Sequence, residues 1–413
     1  MNQPKAESEK PLQRGPLQGV RVLELAHIMA GPVCGLMLAD LGADVIKVEK
    51  MPGGDDTRRM IPPKVGEESA AFMMMNRNKR GIAVNLKQEQ GKEILRKLVA
   101  ETDVLIENYR HDTMKKLGLG YEELKQINPG LVYCEISGFG RSGPFMEQGG
   151  FDLIAQGMSG LMSITGEEPG RSPVKVGAPL TDITAGILGA LGAVSALLQR
   201  NASGQGQKVD TSLFEAGIVH TYWQSAICMA TGVSPGPMGS AHPLNAPYQT
   251  FQTRDGWINV GAANQRNWER LLEAMGIPEM ARDPRFHDNH GRMSNLKELE
   301  MELNQVFRKQ TTTEWLECLK DAGIPAGPML NIAEMHHHPQ TQAREMVTEV
   351  EHPHEGKVET IGLPIKLSET PGGVHRPSPL FGEHTREVLM EHGYDENSIR
   401  ALENEKSVFC HSE

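Results

Sequence analysis

Short apolar runs alternate with amphipathic segments through the first two hundred residues of the chain. The apolar runs predict buried strands, and the segments between them carry apolar residues at helical spacing. This alternation is typical of an α/β fold with a mostly parallel sheet. The predicted strands cover residues 19–26, 44–49, 81–86, 103–107 and 131–136, and the predicted helices cover 32–41, 87–101, 112–117 and 121–126.

The longest apolar helical pattern begins after Pro179 and continues to Arg200. Gly186, Gly189 and Gly192 interrupt it, and a glycine in a helix costs about 1 kcal/mol relative to alanine. That cost is tolerable if another backbone or a ligand passes close to the helix. Asp182 lies at the start of the pattern, where it is either an N-cap or a nucleophile. From this stretch alone the cap is the commoner role for an aspartate.

The rest of the chain predicts a second, smaller α+β domain. At 413 residues the chain is too long for one ordinary core. A segment rich in Gly, Pro and Ser predicts a linker, and a hairpin with three helices follows it. The predicted divisions are a flexible tail over 1–16, a large Rossmann-like domain over 17–230, a linker over 231–246, a small domain over 247–325, and a linker and C-terminal part over 326–413 that returns to the large domain.

Charge and cysteine content narrow the function classes. The net charge of −11 argues against a non-specific nucleic-acid binder. Five scattered cysteines indicate reduced thiols and therefore a cytoplasmic location. The first residues lack the apolar core of a signal peptide, and no run approaches the length of a membrane span, so we expect no membrane partner. The histidines at 336–338, 352 and 354 lack the spacing of a zinc site, and we expect no metal.

The ends of the predicted strands carry residues that suit a phosphate-bearing, adenine-bearing ligand. In open parallel sheets, ligands bind beyond the carboxyl ends of the strands. The first loop lacks the GxGxxG fingerprint, which disfavours a dinucleotide bound in the usual way. Each residue alone could be a solvated loop residue, but their occurrence at matching strand ends favours a binding site: His27, Met29, Ala30, Lys50, 85–87, 108–110 and 137–140.

Eight sequence blocks, in this order, together resemble the family III CoA-transferases. The resemblance extends over about residues 17–395, in a group that includes formyl-CoA:oxalate CoA-transferase and the carnitine CoA-transferase. The blocks are LQGVRVLELAHIMAGPVCGLMLADLGADVIKVEK, MNRNKRGIAVNLK, DVLIENYR, ISGFGRSGP, GFDLIAQGMSGLMSITG, GAPLTDITAGILGALGAVSALLQR, GQGQKVD and FGEHT.

The resemblance implies an interlocked homodimer, in which N- and C-terminal parts build a large Rossmann-like domain. It implies that Asp182 is the nucleophile and that CoA esters are substrates, with no tightly bound cofactor. Gly138 and Gly140 are candidate donors to the oxyanions of such a reaction. The positions that match the family's CoA contacts are Met29, Ala30, Lys50, Val84, Asn85, Leu86, Lys87, Asn108, Tyr109, Arg110, Lys116, Gly149, Gly150, Phe151 and Asp152.

Two departures from the oxalate enzyme concern the acid that is exchanged. Met29 stands where that enzyme has a glutamine, and its glycine-rich flap has no close equivalent in GPMGSAHPLNAPY. Both argue against oxalate as the substrate. A dicarboxylate such as succinate needs a cationic partner for its second carboxylate, and Arg58, Arg77 and Lys175 are candidates.

The expected reaction proceeds through an aspartyl anhydride and an aspartyl-CoA thioester on Asp182. Two alternatives belong to other classes. The α-methylacyl-CoA racemases share the fold, but their proton-transferring histidine matches Phe151, which cannot move a proton. A non-enzymatic module that binds CoA or a nucleotide would keep the basic strand ends without needing Asp182.

Overall fold

The computed structural model describes residues 15–411, so the predicted tail lies outside the described residues except for Gly15 and Pro16. The strands are, in chain order, β1 (Arg21–Leu25), β2 (Asp44–Lys50), β3 (Lys64–Val65), β4 (Glu68–Ser69), β5 (Lys79–Val84), β6 (Val104–Glu107), β7 (Val132–Ser137), β8 (Lys208–Ser212), β9 (Tyr248–Gln252), β10 (Trp257–Gly261), β11 (Ala326–Pro328), β12 (Val347–His352), β13 (Gly356–Ile361) and β14 (Val408–Phe409).

The α-helices are α1 (Ala30–Asp40), α2 (Ala70–Asn76), α3 (Glu89–Val99), α4 (Thr113–Lys116), α5 (Tyr121–Ile127), α6 (Asp152–Met158), α7 (Leu161–Ile164), α8 (Leu180–Ser203), α9 (Leu213–Ile218), α10 (Tyr222–Thr231), α11 (Gln265–Ala274), α12 (Asn289–Ser294), α13 (Leu296–Phe307), α14 (Thr312–Asp321), α15 (Ile332–His337), α16 (Pro339–Ala343), α17 (Thr385–Glu391) and α18 (Glu396–Asn404).

The main sheet has the order β14-β5-β2-β1-β6-β7-β8. Every neighbouring pair is parallel except β14 with β5. Without β14, the order is that of a Rossmann fold, with three strands on each side of a switch point between β1 and β6. The structure is therefore mixed α/β with a large, predominantly parallel sheet.

Helices cover both faces of this sheet. On one face α1 and α8 bury small and branched residues against β1, β6 and β7. On the other face α3, α5, α17 and α18 bury a second set of apolar residues. Strands buried on both faces are continuous apolar runs, which is why the central strands were predictable from the sequence.

The chain divides into two compact units whose boundaries differ from the predicted ones. The first unit extends to Ser159 and includes Gly177–His220 and everything from Pro339 onward, whereas Gly160–Val176 and Thr221–His338 form the second. The second unit has its own core, built on the β9–β10 hairpin and α11, α13 and α14. The hairpin β12–β13 was not predicted, because most of its residues remain at least partly exposed and its sequence is correspondingly polar.

The three glycines of α8 lie where neighbouring elements approach closely. A Cβ added to Gly186 would lie 2.6 Å from the carbonyl oxygen of Ala30 in α1, and one added to Gly189 would lie 2.8 Å from Ile136. A Cβ at Gly192 would lie 2.5 Å from Val209. The close approach of another backbone, which the sequence suggested as one reason for these glycines, therefore holds at Gly186.

One helix among the described residues, α8, is long and apolar enough to cross a membrane by length and composition. A core helix passes the same test, and α8 packs against α1, β7 and β8 in the first unit. The apolar character of α8 is thus accounted for on its buried face by the sheet core.

We predict that Gly186→Ala lowers the thermal unfolding midpoint, because the new methyl group would clash with the backbone carbonyl oxygen of Ala30. Overpacking of this kind costs about 1–3 kcal/mol. Gly149→Ala is the matched control, since a Cβ at Gly149 meets nothing within 4 Å. Differential scanning fluorimetry of the two variants checks the prediction, and equal midpoints would contradict it.

Candidate functional site

The loops that follow the parallel strands emerge at one edge of the sheet. The loop after β1 contains residues 27–29, and residues 108–110 follow β6, so these two segments border the switch point. Lys50 ends β2, residues 85–87 follow β5, and Gly138 and Gly140 follow β7. The strand-end residues singled out in the sequence therefore lie along one edge of the sheet.

Asn108 joins the two central loops. Its Oδ1 accepts a hydrogen bond from the His27 N–H at 3.0 Å, and its Nδ2 donates to the His27 carbonyl oxygen at 2.8 Å. A Cβ added to Gly31 would lie 3.3 Å from the side chain of Asn108. The amide of Asn108, predicted to contact CoA, thus holds the backbone of the β1 loop.

The outer predicted contacts are solvent-accessible. Lys50 is about half exposed and its ammonium group pairs with Asp56 at 2.8 Å. The side chains of Lys87, Arg110 and Lys116 are exposed. Asn85 is held by the C-terminal segment, since its N–H donates to the Ser407 carbonyl at 2.8 Å. Lys50, Lys87, Arg110 and Lys116 supply cationic groups of the kind that a phosphate ligand requires.

Asp182 is the third residue of α8, and Pro179 occupies the N-cap position without a side-chain hydrogen bond. The N-cap interpretation of Asp182 is therefore wrong. Within residues 15–411, no hydrogen bond or ion pair of the Asp182 carboxylate is found. A half-buried carboxylate that caps nothing and pairs with nothing is costly to retain, and such groups are concentrated at functional sites.

Asp152 performs the capping that Asp182 does not. Its Oδ1 accepts hydrogen bonds from the Thr181 N–H at 3.0 Å and the Thr181 hydroxyl at 2.8 Å, and its Oδ2 accepts one from Gln156 at 2.8 Å. The sequence predicted only a CoA contact for Asp152. The signal for the capping role is weak, because a cap supplied by a residue about thirty positions away has no local sequence pattern.

Burial, and secondarily the negative charge of Asp152, raises the pKa of Asp182 from 3.8 to about 6. Both causes act on the charged form, since a carboxylate loses hydration when buried and is repelled by a like charge. The group remains mostly ionised at neutral pH. It is also a more basic carboxylate than an exposed aspartate, with oxygens that no described neighbour occupies.

Two glycines bring the segment before α6 against the loop after β7. A Cβ added to Gly138 would lie 2.7 Å from the backbone of Gly150, so the two backbones touch. Gly140 has φ +88°, and its N–H donates to the Ser137 hydroxyl at 2.9 Å. Gly140 could donate to an oxyanion only after that bond breaks. Phe151 is the N-cap residue of α6 and is 73% exposed.

Two of the three cations suggested for the second carboxylate are structural, so that prediction is wrong for them. Arg58 forms two hydrogen bonds of 2.7 Å with Glu49, and its guanidinium lies 3.6 Å from the ring centre of Phe72. Arg77 is buried and pairs with Asp40 at 2.6 Å. Lys175 is exposed and belongs to the second unit.

Comparison with known proteins identifies the family. The model of CoA-transferase family III matches residues 17–385. The chain belongs to CoA-transferase family III. It is therefore a CoA-transferase, and CoA thioesters are its substrates.

Three similar proteins each match nearly the whole length of this chain. A mouse (Mus musculus) succinyl-CoA:glutarate CoA-transferase is 39% identical over 94% of this chain and 89% of its own length. A succinate–glutarate CoA-transferase of Agrobacterium fabrum is 40% identical over 93% of this chain and 97% of its own length. The crystal structure of a CAIB/BAIF family protein from Brucella suis, 40% identical, superposes with a TM-score of 0.81 over 92% of this chain and all of that one.

We predict that Asp152→Asn moves the acidic limb of the pH–rate profile. In the native enzyme, kcat/KM should fall as pH drops through about 6, because Asp182 becomes protonated. Asparagine keeps an oxygen for the Thr181 N–H and removes the charge that raises the pKa of Asp182. The limb should move to lower pH by about half a unit or more.

Asp103→Asn is the control for this profile, because Asp103 precedes β6 at the opposite edge of the sheet and pairs with Arg200. Its limb should coincide with that of the native enzyme. Ionisation of the substrates is common to all three proteins and cancels in the comparison. An unchanged limb in Asp152→Asn would contradict the assignment.

Proposed function

We propose that this family III CoA-transferase moves CoA from a dicarboxylic acyl-CoA, with succinyl-CoA as the donor, to a free dicarboxylate such as glutarate. The observation that carries the proposal is the half-buried carboxylate of Asp182 in the first turn of α8, which has no hydrogen-bond or ion-pair partner among the described residues. The names of the mouse and Agrobacterium relatives supply the acids. Their chemistry fits a reaction that exchanges one thioester for another.

Close contacts within the first unit connect Asp182 to the sheet edge proposed to bind CoA. Asp152 holds the start of α8 through Thr181, and Gly150, two residues before Asp152, packs on Gly138 after β7. One turn beyond Asp182, Gly186 packs on the Ala30 carbonyl after β1. These contacts support a site in which the CoA thioester reaches Asp182 from the carboxyl ends of β1, β6 and β7.

Asp182 begins the proposed reaction by attacking the carbonyl carbon of the donor thioester. The C–S bond breaks, giving a mixed anhydride and CoA thiolate. The thiolate then attacks the carbonyl carbon of Asp182, which releases the donor acid as a carboxylate and leaves an aspartyl-CoA thioester. Division into such steps makes a difficult transfer feasible, because each leaving group is better than an oxide or an amine.

The acceptor carboxylate then attacks the aspartyl-CoA thioester, giving a second anhydride and CoA thiolate. Attack of the thiolate on the acceptor's acyl carbon forms the new thioester and regenerates the Asp182 carboxylate. Each attack passes through an oxyanion, and the backbone amides beside Gly138 are candidate donors. The energy of the thioester is kept throughout, and we propose that no tightly bound cofactor takes part.

The racemase alternative lacks a proton-transfer partner at the position where the resemblance would put one. Phe151, at the position that matches the racemase histidine, presents an exposed hydrocarbon ring. Phenylalanine has no group that accepts or donates a proton, so α-proton exchange would need another base beside Asp182. Covalent transfer needs only one nucleophile, and the Asp182 carboxylate can supply it.

The same chain is proposed to form an interlocked homodimer. Along the outer face of α8, Ile187, Leu191 and Leu198 are 47%, 61% and 72% exposed and form an apolar stripe. Phe151 adds a further exposed apolar side chain. Exposed apolar patches with helical periodicity are typical of surfaces that a partner covers, and a second copy is the partner that the family resemblance implies.

A cytoplasmic location is also proposed, because the five cysteines are present as free thiols. Cell fractionation of the native source tests it, and recovery in an organelle would exclude it.

We predict that the protein forms glutaryl-CoA from succinyl-CoA and glutarate, with parallel-line (ping-pong) kinetics. Asp182→Asn should lower kcat by about a thousandfold or more, because the covalent route is lost. Liquid chromatography of the CoA esters measures the products, and butyrate is the matched acceptor that lacks a second carboxylate. Deuterium incorporation at the α-carbon of the acyl-CoA without transfer would favour the racemase alternative.

We predict that sedimentation gives the mass of two chains, and that two differently tagged preparations exchange no subunits until they are unfolded together. Interlocked chains cannot separate without unfolding. Leu191→Glu with Leu198→Glu should prevent assembly, whereas Gln199→Glu, which adds a charge to the same exposed helix, should not. A native monomer, or rapid subunit exchange, would contradict interlocking.

A further inference from the structure

The loop between β1 and α1 contains a strained residue that the reaction scheme does not use. Ile28 has φ +68°, in the left-handed region. That conformation is uncommon for any residue with a Cβ and is an outlier for a β-branched one. Such a residue persists only where its surroundings enforce it, and strained residues are concentrated at functional sites. The contacts that enforce this conformation therefore bear on function.

Asp55 holds the backbone of Ile28 directly. Its Oδ1 accepts a hydrogen bond from the Ile28 N–H at 3.1 Å, and also from the N–H of Thr57 at 2.9 Å and the Thr57 hydroxyl at 2.8 Å. Asn108 fixes the preceding residue, His27, through both its N–H and its carbonyl oxygen. The backbone at and before the strained residue is thus fixed by two side chains from other parts of the chain.

Asp55 is itself fixed by a cluster of four buried charges, Glu24, Lys47, Asp55 and Lys79, here called the charge cluster. Lys47 Nζ lies 2.8 Å from Glu24 Oε1 and 2.9 Å from Asp55 Oδ2, and Lys79 Nζ lies 2.7 Å from Glu24 Oε2. The side chains are at most 1% exposed. Two cations and two anions leave the cluster neutral, which buried charges require.

The charge cluster contacts the backbone of the β1 loop and of the first turn of α1. Lys47 donates to the Ala26 carbonyl at 2.9 Å, Asp55 accepts from Ile28, and Lys79 donates to the Pro32 carbonyl at 2.9 Å. Its backbone contacts therefore fall at the start and the middle of the loop and in the first turn of α1. The arrangement fixes the course of the loop as well as neutralising its own charges.

The course of this loop determines where α8 lies. Ala30 follows Ile28 by two residues, and its carbonyl oxygen is the atom that Gly186 approaches without room for a Cβ. Gly186 is one helical turn after Asp182. A shift of the loop would therefore displace the first turns of α8 and the nucleophile they carry.

We propose that Asp55, held by Lys47, is a positioning residue that keeps Ile28 in its left-handed conformation and thereby sets Met29 and Ala30 against the helix that carries Asp182. Asp55 contacts the loop backbone and acts on the reaction only through that loop. The inference rests on the proposed CoA transfer, because its effect is read out in that reaction. It requires that the decrease in kcat caused by replacing Asp55 depends on which residue occupies position 28.

A double-mutant cycle of Asp55→Asn and Ile28→Gly tests this dependence. Asparagine keeps the size of the side chain and an acceptor oxygen but loses the charge that Lys47 holds. With Ile28 present, kcat should fall by about tenfold, because misplacement of a nucleophile by a fraction of an ångström is costly. In the Ile28→Gly background, glycine adopts positive φ without strain. Asp55→Asn should therefore lower kcat by about threefold or less in that background.

Asp40→Asn is the matched control for the loss of a buried ion pair. Asp40 pairs with Arg77 at 2.6 Å at the far end of α1. This variant should lower the thermal midpoint, and its effect on kcat should be the same with Ile28 present and in the Ile28→Gly background. If Asp55→Asn lowered kcat by the same factor in the two backgrounds, the positioning role would be overturned and Asp55 would be a purely structural residue.

A second measurement needs no Asp55 variant and no activity. Ile28→Gly and Ile28→Ala both remove the branched side chain beyond Cβ, but only glycine, which also lacks Cβ, relieves the left-handed strain. The glycine variant should have the higher thermal midpoint, and a lower midpoint than that of Ile28→Ala would refute the strain. If the native protein transferred no CoA, the proposed function would fail, while this comparison would still decide whether position 28 is strained.

Discussion

Helix α8 packs against the first turn of α1 with backbone against backbone, and the position of the nucleophile depends on that contact. Gly186 allows α8 to approach the Ala30 carbonyl oxygen, and Gly189 allows α8 to pack against Ile136 of β7. The glycines are unfavourable for an isolated helix. They allow α8 to pack closely against α1, β7 and β8 on one face of the sheet.

Two neighbouring carboxylates have taken different roles because their surroundings differ. Asp152 is satisfied by three hydrogen bonds and secures the start of α8. Asp182 has no such partners among the described residues, and the increase in its pKa from 3.8 to about 6 corresponds to about 3 kcal/mol of unfavourable free energy for its charged form. A protein selected only for stability would not retain a carboxylate with that unfavourable free energy. A nucleophile that must meet a thioester carbonyl has to keep its oxygens unoccupied.

Much of the fold was predictable because its central strands are buried on both faces and read as apolar runs. The strands β1, β2, β5, β6 and β7 and the helices α1, α3 and α8 were all indicated within a few residues. The C-terminal strand β14 was not, since it is two residues long and is defined by pairing with β5. The β12–β13 hairpin was missed because a largely exposed two-stranded ribbon gives little hydrophobic pattern.

The chemistry of the site was predictable only in part. Asp182 could be singled out by its place before a glycine-rich helix, but its environment could not, because the capping residue lies on another helix. Arg58 and Arg77 were candidates for binding the second carboxylate, and their own carboxylate partners, Glu49 and Asp40, nine and thirty-seven residues away, gave no local signal. The charge cluster gave no signal, since Glu24, Lys47 and Lys79 lie in or beside apolar runs and meet only when the strands pair.

Intact-protein mass spectrometry after mixing with succinyl-CoA tests the central claim most directly. We expect an adduct with the mass of CoA less water on the native protein, removed by hydroxylamine and absent from Asp182→Ala. Detection of the same adduct on Asp182→Ala would contradict the assignment of the nucleophile. Turnover without any covalent adduct, across a panel of acyl-CoA donors quenched at short times, would contradict the covalent mechanism itself.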